Sequence, residues 1–214
     1  MTTDLFGTAL GETWHMMWIS TILTAAGGLL LGVLLHLTDR TGLLPFWPVN
    51  KLLGLIVNIG RSLPFLILMV ALIPFTRTVT GTTFGATAAI VPLTVGAIPF
   101  FARLVEASLR EVDPGVVSAA RAMGASRGQI VTKVLLREAR PGLVSGLTIT
   151  VIALIGFSSI VGVIGGGGIG DLAIRYGYQR YDTQIMILCV VVLVVLVQAV
   201  QMLGDLVVRR ISHK

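Results

Sequence analysis

Few side chains in the sequence have the type and spacing that catalysis requires. Ser158 and Ser159 are adjacent hydroxyl groups, but no histidine or carboxylate lies near them along the chain. His15 and His36 lie near the ends of apolar segments and have no partners at metal-ligand spacing. The single cysteine, Cys189, lies within an apolar run, which excludes a disulfide framework and a thiolate metal cluster. We therefore expect neither a catalytic residue nor a metal site.

The glycines raise the question of nucleotide binding. Gly165, Gly167 and Gly170 match the pattern G-x-G-x-x-G, but they follow an apolar segment rather than a strand, so the match is weak. Such glycines more simply let the backbone turn or pack closely. The phosphate-binding pattern G-x-x-x-x-G-K-[ST] does not occur in the sequence. We therefore expect that this chain is not an ATP hydrolase and carries no cofactor of its own.

The residues named above lie in or beside long apolar segments, and the composition of the whole chain is correspondingly apolar. Of 214 residues, 55% are hydrophobic and 12% are charged, whereas about 25% charged residues is usual in soluble domains. The mean hydropathy is +0.92. The net charge of +6 would suit a nucleic acid, but the basic residues lie between long apolar stretches, as in integral membrane proteins. A soluble enzyme, a nucleic-acid-binding protein and a disulfide-stapled secreted module are thereby excluded.

Five stretches have the roughly 20 apolar residues that a helix needs to cross a bilayer. They contain no Asp, Glu, Lys or Arg except Arg61 in the second, and they cover residues 13–38, 52–76, 78–102, 141–170 and 183–204. We therefore predict an all-α integral membrane protein with five transmembrane helices. The membrane domain covers residues 14–210. A short outer segment, 1–13, precedes it, and an inner tail, 211–214, follows it.

The distribution of basic residues predicts the orientation in the membrane. With the N-terminus outside, the outer loops contain only Arg77, Arg175 and Arg180. The inner loops and tail then contain Arg40, Lys51, Arg103, Arg110, Arg121, Arg127, Lys133, Arg137, Arg140, Arg209, Arg210 and Lys214. Because Lys and Arg are enriched in inner loops, we predict an outer N-terminus and an inner C-terminus.

The longest segment outside the membrane, residues 103–140, lies between the third and fourth spans on the inner side. Asp113 and Pro114 predict a helix start, and Gly124 suits a left-handed cap at its end. Ser126 with Gln129 predicts a capping box that opens a second, longer amphipathic helix. The small residues Ala119, Ala120, Ala122 and Ala125 and the charged Arg121 follow or lie within the first helix. Two interpretations fit them, a solvated connector and a docking helix for a soluble partner.

The run SAARAMGASRGQIVTKVLLREARPG in this loop resembles the inner-loop signature of ATP-binding-cassette importer permeases, E-A-A-x-x-x-G followed by I-x-L-P. Aligned on Gly124, Ala119 and Ala120 match the two alanines. Ser118 replaces the acidic residue and Arg137 replaces the proline, so the longer helix is expected to continue to Pro141. The stretches NIGRSLPFLILMVALIPFTR (58–77) and GDLAIRYGYQRYDTQIM (170–186) resemble the methionine-importer subgroup of these permeases.

This resemblance implies a homodimer with the transport pathway along its two-fold axis. It implies two ATPase subunits on the inner side, which bind ATP and Mg and contact the short loop helix, and a substrate-binding protein on the outer side. The ATPase-coupling residues implied are Ser118, Ala119, Ala120, Arg121, Ala122, Met123, Gly124, Ala125 and Ser126. The expected function is ATP-driven import of methionine, including its D and L enantiomers and derivatives.

Arg61 and the small residues of the fourth span are the candidate pathway or gate residues. A charge near the centre of a membrane helix costs about 2.5–3.5 kcal/mol and usually faces protein or water. Arg61 therefore either bridges neighbouring helices or lines the pathway. Ser158, Ser159 and Gly162 suit either close helix packing or a central pathway.

Three other functions fit the sequence less well. One is a permease of the same fold for another small solute. A second is an ion-coupled carrier, which would usually place Asp, Glu or His in the middle of the membrane. A third is a structural membrane scaffold.

Overall fold

The computed structural model describes residues 2–212, and within them every element of regular secondary structure is a helix. The predicted all-α class is confirmed. The helices are α1 (Thr2–Thr38), α2 (Trp47–Ser62), α3 (Phe65–Ala71), α4 (Ile73–Thr80), α5 (Ala86–Arg110), α6 (Pro114–Ala122), α7 (Arg127–Gln129), α8 (Leu136–Glu138), α9 (Arg140–Val163), α10 (Gly168–Leu172) and α11 (Thr183–Ile211). Two short π-helical segments, Ile130–Leu135 and Ala173–Tyr178, join α7 to α8 and follow α10.

Four helices, α1, α5, α9 and α11, are long and apolar enough to cross a membrane. The remaining predicted span, residues 52–76, is not one straight helix: α2 and α3 are long and apolar enough only when taken together, and they meet at a bend of 105°. Pro64 explains the break. It lacks a backbone N–H and disfavours helical geometry at the residue before it, and Leu63 accordingly has ψ of 128°.

The ends of several spans differ from the sequence-based boundaries. α1 begins at Thr2, so the predicted outer segment 1–13 is the first part of this helix in the described residues. The third span begins at Ala86 rather than 78, after the left-handed glycines Gly81 and Gly85. The fourth ends at Val163, before another run of left-handed glycines. The predicted tail 211–214 lies partly outside the described residues.

Helices α1 and α5 pack together along their length and form the centre of the chain. The packing depends on small residues, which let two helix backbones approach closely. A Cβ atom on Gly32 of α1 would lie 2.5 Å from the carbonyl oxygen of Ala102 on α5, and one on Gly28 would lie 2.7 Å from Phe101. Helix α9 packs against both α5 and α1, and α10 and α11 pack against α9.

Helix α11 leaves most of its apolar surface uncovered within one chain. Within its most apolar stretch of 18 residues, only 11% is buried. The exposed large side chains on α11 are Ile187, Leu188, Val190, Val191, Val194, Val195, Met202, Leu203, Leu206 and Val207. An apolar surface of this kind is stable when lipid or another apolar helix covers it.

Candidate functional site

The short inner-loop helix α6 begins as the sequence predicts. Asp113 precedes the helix, and its carboxylate accepts a hydrogen bond from the backbone N–H of Gly115 at 2.8 Å. Pro114 occupies the first turn, where a missing N–H costs nothing. The predicted Asp-Pro helix start is therefore confirmed.

The end of α6 and the start of the next helix are also confirmed. Gly124 has φ of +79°, and the N–H of Ala125 donates to the carbonyl oxygen of Ala120 at 3.0 Å. Such a left-handed glycine lets the chain reverse while the last carbonyls stay hydrogen-bonded. Ser126 and Gln129 form both hydrogen bonds of the capping box, at 3.3 and 2.8 Å. The turn between the two helices is thus fixed on both sides.

The two faces of α6 have different surroundings. Ala120 is buried against the inner-end core, which includes Leu109 and Ile130, and Val117 packs against the same cluster. The opposite face is exposed and consists of small side chains with two larger apolar ones, Val116 and Met123, which are 40% and 81% exposed. The small exposed members of this face are Gly115, Ser118, Ala119 and Ala122. A surface of small groups with two exposed apolar side chains favours the docking interpretation over the connector.

The two departures from the family pattern have visible structural consequences. The Ser118 hydroxyl donates to the carbonyl oxygen of Pro114 at 2.9 Å, so its hydrogen bond is formed within the same helix. Arg137 lies in α8, which ends at Glu138, and Ala139 forms a turn before α9. The longer helix therefore continues past Arg137 as expected, but it ends at Glu138, three residues before Pro141. The chain turns at Ala139, and Pro141 occupies the first turn of the next helix instead.

A buried carboxylate near this loop was missed in the sequence. Glu106 on α5 has a side chain that is 3% exposed; it accepts a hydrogen bond from Arg103 and forms an ion pair with Arg110 at 2.7 Å. Arg103 also donates to the side chain of Asn58 on α2 at 2.8 Å, and Arg110 lies 3.4 Å from Asp39. The Arg-x-x-Glu-x-x-x-Arg spacing was a readable signal, because residues three and four apart share one helix face. This cluster joins the inner end of α5 to α1 and α2.

Arg61 lies at the break between α2 and α3. It lines a cavity of about 300 Å³ whose other large lining side chains are Leu63, Phe65, Leu68, Phe100 and Phe157. The neighbouring Gly60 packs closely on Pro99, because a Cβ atom there would lie 2.7 Å from the proline ring. Since Pro99 lies near the middle of α5, Arg61 lies near the middle of the membrane segment. The guanidinium is exposed within one chain.

The other candidate pathway residues pack against α10. Ser158 is buried, and its hydroxyl donates to the carbonyl oxygen of Ile155 at 2.8 Å. A Cβ atom on Gly170 would lie 2.5 Å from the Cα atom of Ser159, and one on Gly162 would overlap the backbone of Asp171. These small residues therefore provide close helix packing, one of the two interpretations of the sequence. Arg61 meets this helix, α9, at Phe157, the residue before Ser158 and a lining residue of the same cavity.

The glycine run that follows α9 forms the predicted tight turn. Gly165, Gly167 and Gly168 have φ near +80°, a region that side chains other than glycine rarely adopt. The N–H of Gly168 donates to the carboxylate of Glu12 at 2.7 Å, and the N–H of Ile169 donates to the hydroxyl of Thr13 at 2.9 Å. The run thus fastens α10 to α1. Within residues 2–212, no group of three or more metal-ligating side chains occurs.

The helical architecture, the broken span and the inner-loop helix together define a transporter membrane component. Residues 28–213 match the family described as the binding-protein-dependent transport system inner membrane component. The chain belongs to this family. It is an integral membrane permease subunit of an importer and not an enzyme.

Particular relatives sharpen this membership. The probable D-methionine transport system permease protein MetI of Vibrio cholerae is 53% identical over 214 residues, 100% of this chain and 95% of the relative. The methionine import system permease protein MetP of Bacillus subtilis is 45% identical over 181 residues, which is 85% of this chain and 82% of the relative. The predicted resemblance to methionine-importer permeases is confirmed.

Solved structures agree with the sequence relatives. An inward-facing structure of the MetNI methionine ABC transporter matches with a TM-score of 0.97 and 45% identity, covering 99% of this chain and 98% of the other. The crystal structure of an amino acid ABC transporter with histidines matches with a TM-score of 0.76, and at 23% identity it shows the fold alone. The predicted permease fold is therefore confirmed.

Proposed function

We propose that two copies of this chain form the membrane pathway of an ATP-driven importer for methionine, in its D and L forms and as derivatives. The names of the relatives in Vibrio cholerae and Bacillus subtilis support the substrate. Because the sequence contains no phosphate-binding loop, we assign the binding of ATP and Mg to a separate ATPase subunit.

The exposed face of α6 is the observation that carries this proposal. Its small side chains allow close approach by another backbone, and Met123 is an adaptable apolar contact. Because Ala120 and Val117 anchor the opposite face to the inner-end core, a force applied to α6 reaches α5. We therefore assign ATPase coupling to residues 118–126, with Ala120 as the anchor. Closure of two ATPase subunits would move this helix and switch the pathway from inward-facing to outward-facing.

The second copy and the substrate-binding protein occupy other surfaces. The uncovered apolar faces of the membrane helices supply the area for a second copy and for lipid. The outer side, by the predicted orientation, contains the glycine turn at 165–168 and Arg175 and Arg180, where a binding protein would release substrate. Arg61 is assigned to the pathway, and Ser158, Ser159 and Gly162 support the helix next to it.

A cysteine cross-linking experiment tests the coupling assignment. In a chain whose buried Cys189 is replaced by alanine, Ala119→Cys should cross-link to the ATPase subunit, and ATP should change the yield. The matched control is Ala120→Cys, whose side chain faces the chain's own core and should not cross-link. A transport-active complex in which Ala119→Cys fails to cross-link, or in which both positions react equally, would contradict the assignment.

Uptake by proteoliposomes tests the substrate and the energy source. The complex with its ATPase and binding protein should import methionine only when ATP is present on the side of the membrane where the ATPase lies. Uptake that follows an ion gradient without ATP would favour an ion-coupled carrier. ATP-driven uptake of a different solute, with none of methionine, would favour a permease of the same fold for another substrate.

A further inference from the structure

We propose that the cavity at the break between α2 and α3 is a binding site for an amino acid in transit, with Arg61 binding its carboxylate and the aromatic walls binding its apolar side chain. This inference rests on the proposed function, because it locates the substrate of that transport along the chain. The carboxylate of the amino acid would lie at Arg61, whose charge selects for it, and the thioether side chain would lie against the aromatic walls.

The depth of the cavity is the first observation. The close contact of Gly60 with Pro99 places the break beside the midpoint of α5 (Ala86–Arg110). Leu63 and Pro64 have extended backbone there, so the helix is interrupted inside the membrane segment. Interrupted backbone at this depth is tolerated where protein buries it or where it lines a water-filled cavity. A break beside a cavity is therefore a place that water and a solute can reach.

The lack of a partner for Arg61 is the second observation. In the part of the chain that the structure describes, Arg103, Arg110 and Arg175 each pair with a carboxylate. Arg61 has no such carboxylate or hydrogen-bond acceptor among residues 2–212. The side-chain oxygen of Asn58, three residues earlier on α2, accepts a hydrogen bond from Arg103 instead. A cation in the membrane interior without a counter-charge is costly, and the planar guanidinium fits a carboxylate through two parallel hydrogen bonds.

The walls of the cavity are the third observation. Phe65 and Phe157 stack with ring centroids 4.3 Å apart, and Phe100, Leu63 and Leu68 complete the apolar lining. Thioether sulfur makes favourable contacts with aromatic rings. The lining contains no carboxylate, so it favours the anionic end of a ligand and does not attract a cationic side chain. A volume of about 300 Å³ is at the small end of ligand pockets, as suits a free amino acid.

Direct binding to the complex without a binding protein tests this site. The chain is purified with its ATPase in lipid nanodiscs, and binding of radiolabelled L-methionine is measured by scintillation proximity. Unlabelled methionine should compete, whereas methioninamide, which lacks the carboxylate, and alanine, which lacks the thioether chain, should compete poorly. Arg61→Gln should weaken methionine binding on the order of tenfold to hundredfold, the loss expected for charge-assisted hydrogen bonds. Arg61→Lys should lose less, because it keeps the charge.

Two further variants separate the site from general disruption. Phe157→Ala should weaken binding of methionine more than that of alanine, because it removes the apolar wall. Arg77→Gln is the matched control, since Arg77 is an exposed arginine on the adjacent α4, and it should leave binding unchanged. If Arg61→Gln fails to assemble, the comparison of methionine with methioninamide on the unaltered complex still decides the outcome.

Three results would overturn the inference. They are an unaltered complex that binds no methionine, equal competition by methionine and methioninamide, or wild-type affinity in Arg61→Gln. Uptake measured with ATP and the binding protein on the same preparation keeps this inference distinct from the proposed function. If the unaltered complex shows ATP-driven uptake of methionine but no binding at the cavity, only the cavity site is refuted. If the unaltered complex shows no ATP-driven uptake of methionine, the transport proposal is refuted.

Discussion

Replacing Glu106 by glutamine should destabilise the chain by about 3 kcal/mol. The carboxylate is 3% exposed, accepts a hydrogen bond from Arg103 and forms an ion pair with Arg110. Glutamine keeps the side-chain volume, so the loss is electrostatic, and one oxygen becomes an NH₂ donor facing a guanidinium. A hydrogen bond to a charged group contributes about 1.5–3 kcal/mol, and the ion pair with Arg110 adds to it. The sum is reduced because the two arginines are 32% and 53% exposed and are partly rehydrated when the carboxylate is lost.

Thermal unfolding of the detergent-solubilised protein, followed by circular dichroism, measures this loss. For a chain of this length each kcal/mol shifts the midpoint by about 2–4 °C, so Glu106→Gln should lower it by about 6–12 °C. The control is Asp39→Asn, which removes the partly exposed contact with Arg110 at 3.4 Å and should cost less than about 1 kcal/mol. Equal shifts for the two variants would refute the argument that burial of Glu106 decides the stability of this cluster.

Two further predictions concern glycine packing and helix capping. Gly162→Ala should lower both the unfolding midpoint and methionine uptake, because its Cβ atom would overlap the backbone of Asp171, whereas Gly156→Ala meets open space and should not lower the midpoint. Equal behaviour of these two variants would contradict the packing argument. Ser126→Ala removes the side-chain acceptor for the N–H of Gln129 and should cost about 1 kcal/mol locally. Hydrogen–deuterium exchange should then rise in α7 and not in α9, and unchanged exchange in α7 would count against the capping role.

The inner loop shows how much local sequence can determine. Asp113, Gly124 and Ser126 were predicted to begin, end and restart helices, and each does so with hydrogen bonds to residues within a few positions. Such bonds depend on residues that are adjacent in the chain, so the sequence contains all the information that they need. The break between α2 and α3 also has a local cause, because Pro64 interrupts the helix. The proline does not by itself determine the bend of 105°. The direction of α3 is decided by its packing on α5 and α9.

The candidate sites divide in the same way. The sequence placed the coupling residues on one helix and the turn that follows it, but it could not say that Ala120 faces the core while Ala119 is exposed. It singled out Arg61 as an unusual charge, but the aromatic walls around it come from α3, α5 and α9. Small residues in α9 were consistent with packing or with a pathway, and the contact with α10 decided for packing within one chain.

By itself, the sequence determined that this is a helical membrane protein, which orientation its basic loops favour, where the first inner-loop helix begins and ends, and where the second begins. These properties follow from apolar length, from charge and from short-range hydrogen bonds. Only the tertiary structure decided that Glu106 is buried and that Arg103 reaches Asn58, 45 residues away along the chain. It also decided that Arg61 faces a cavity. Neighbours of this kind are set by how distant helices pack, and no local pattern of residues encodes that packing.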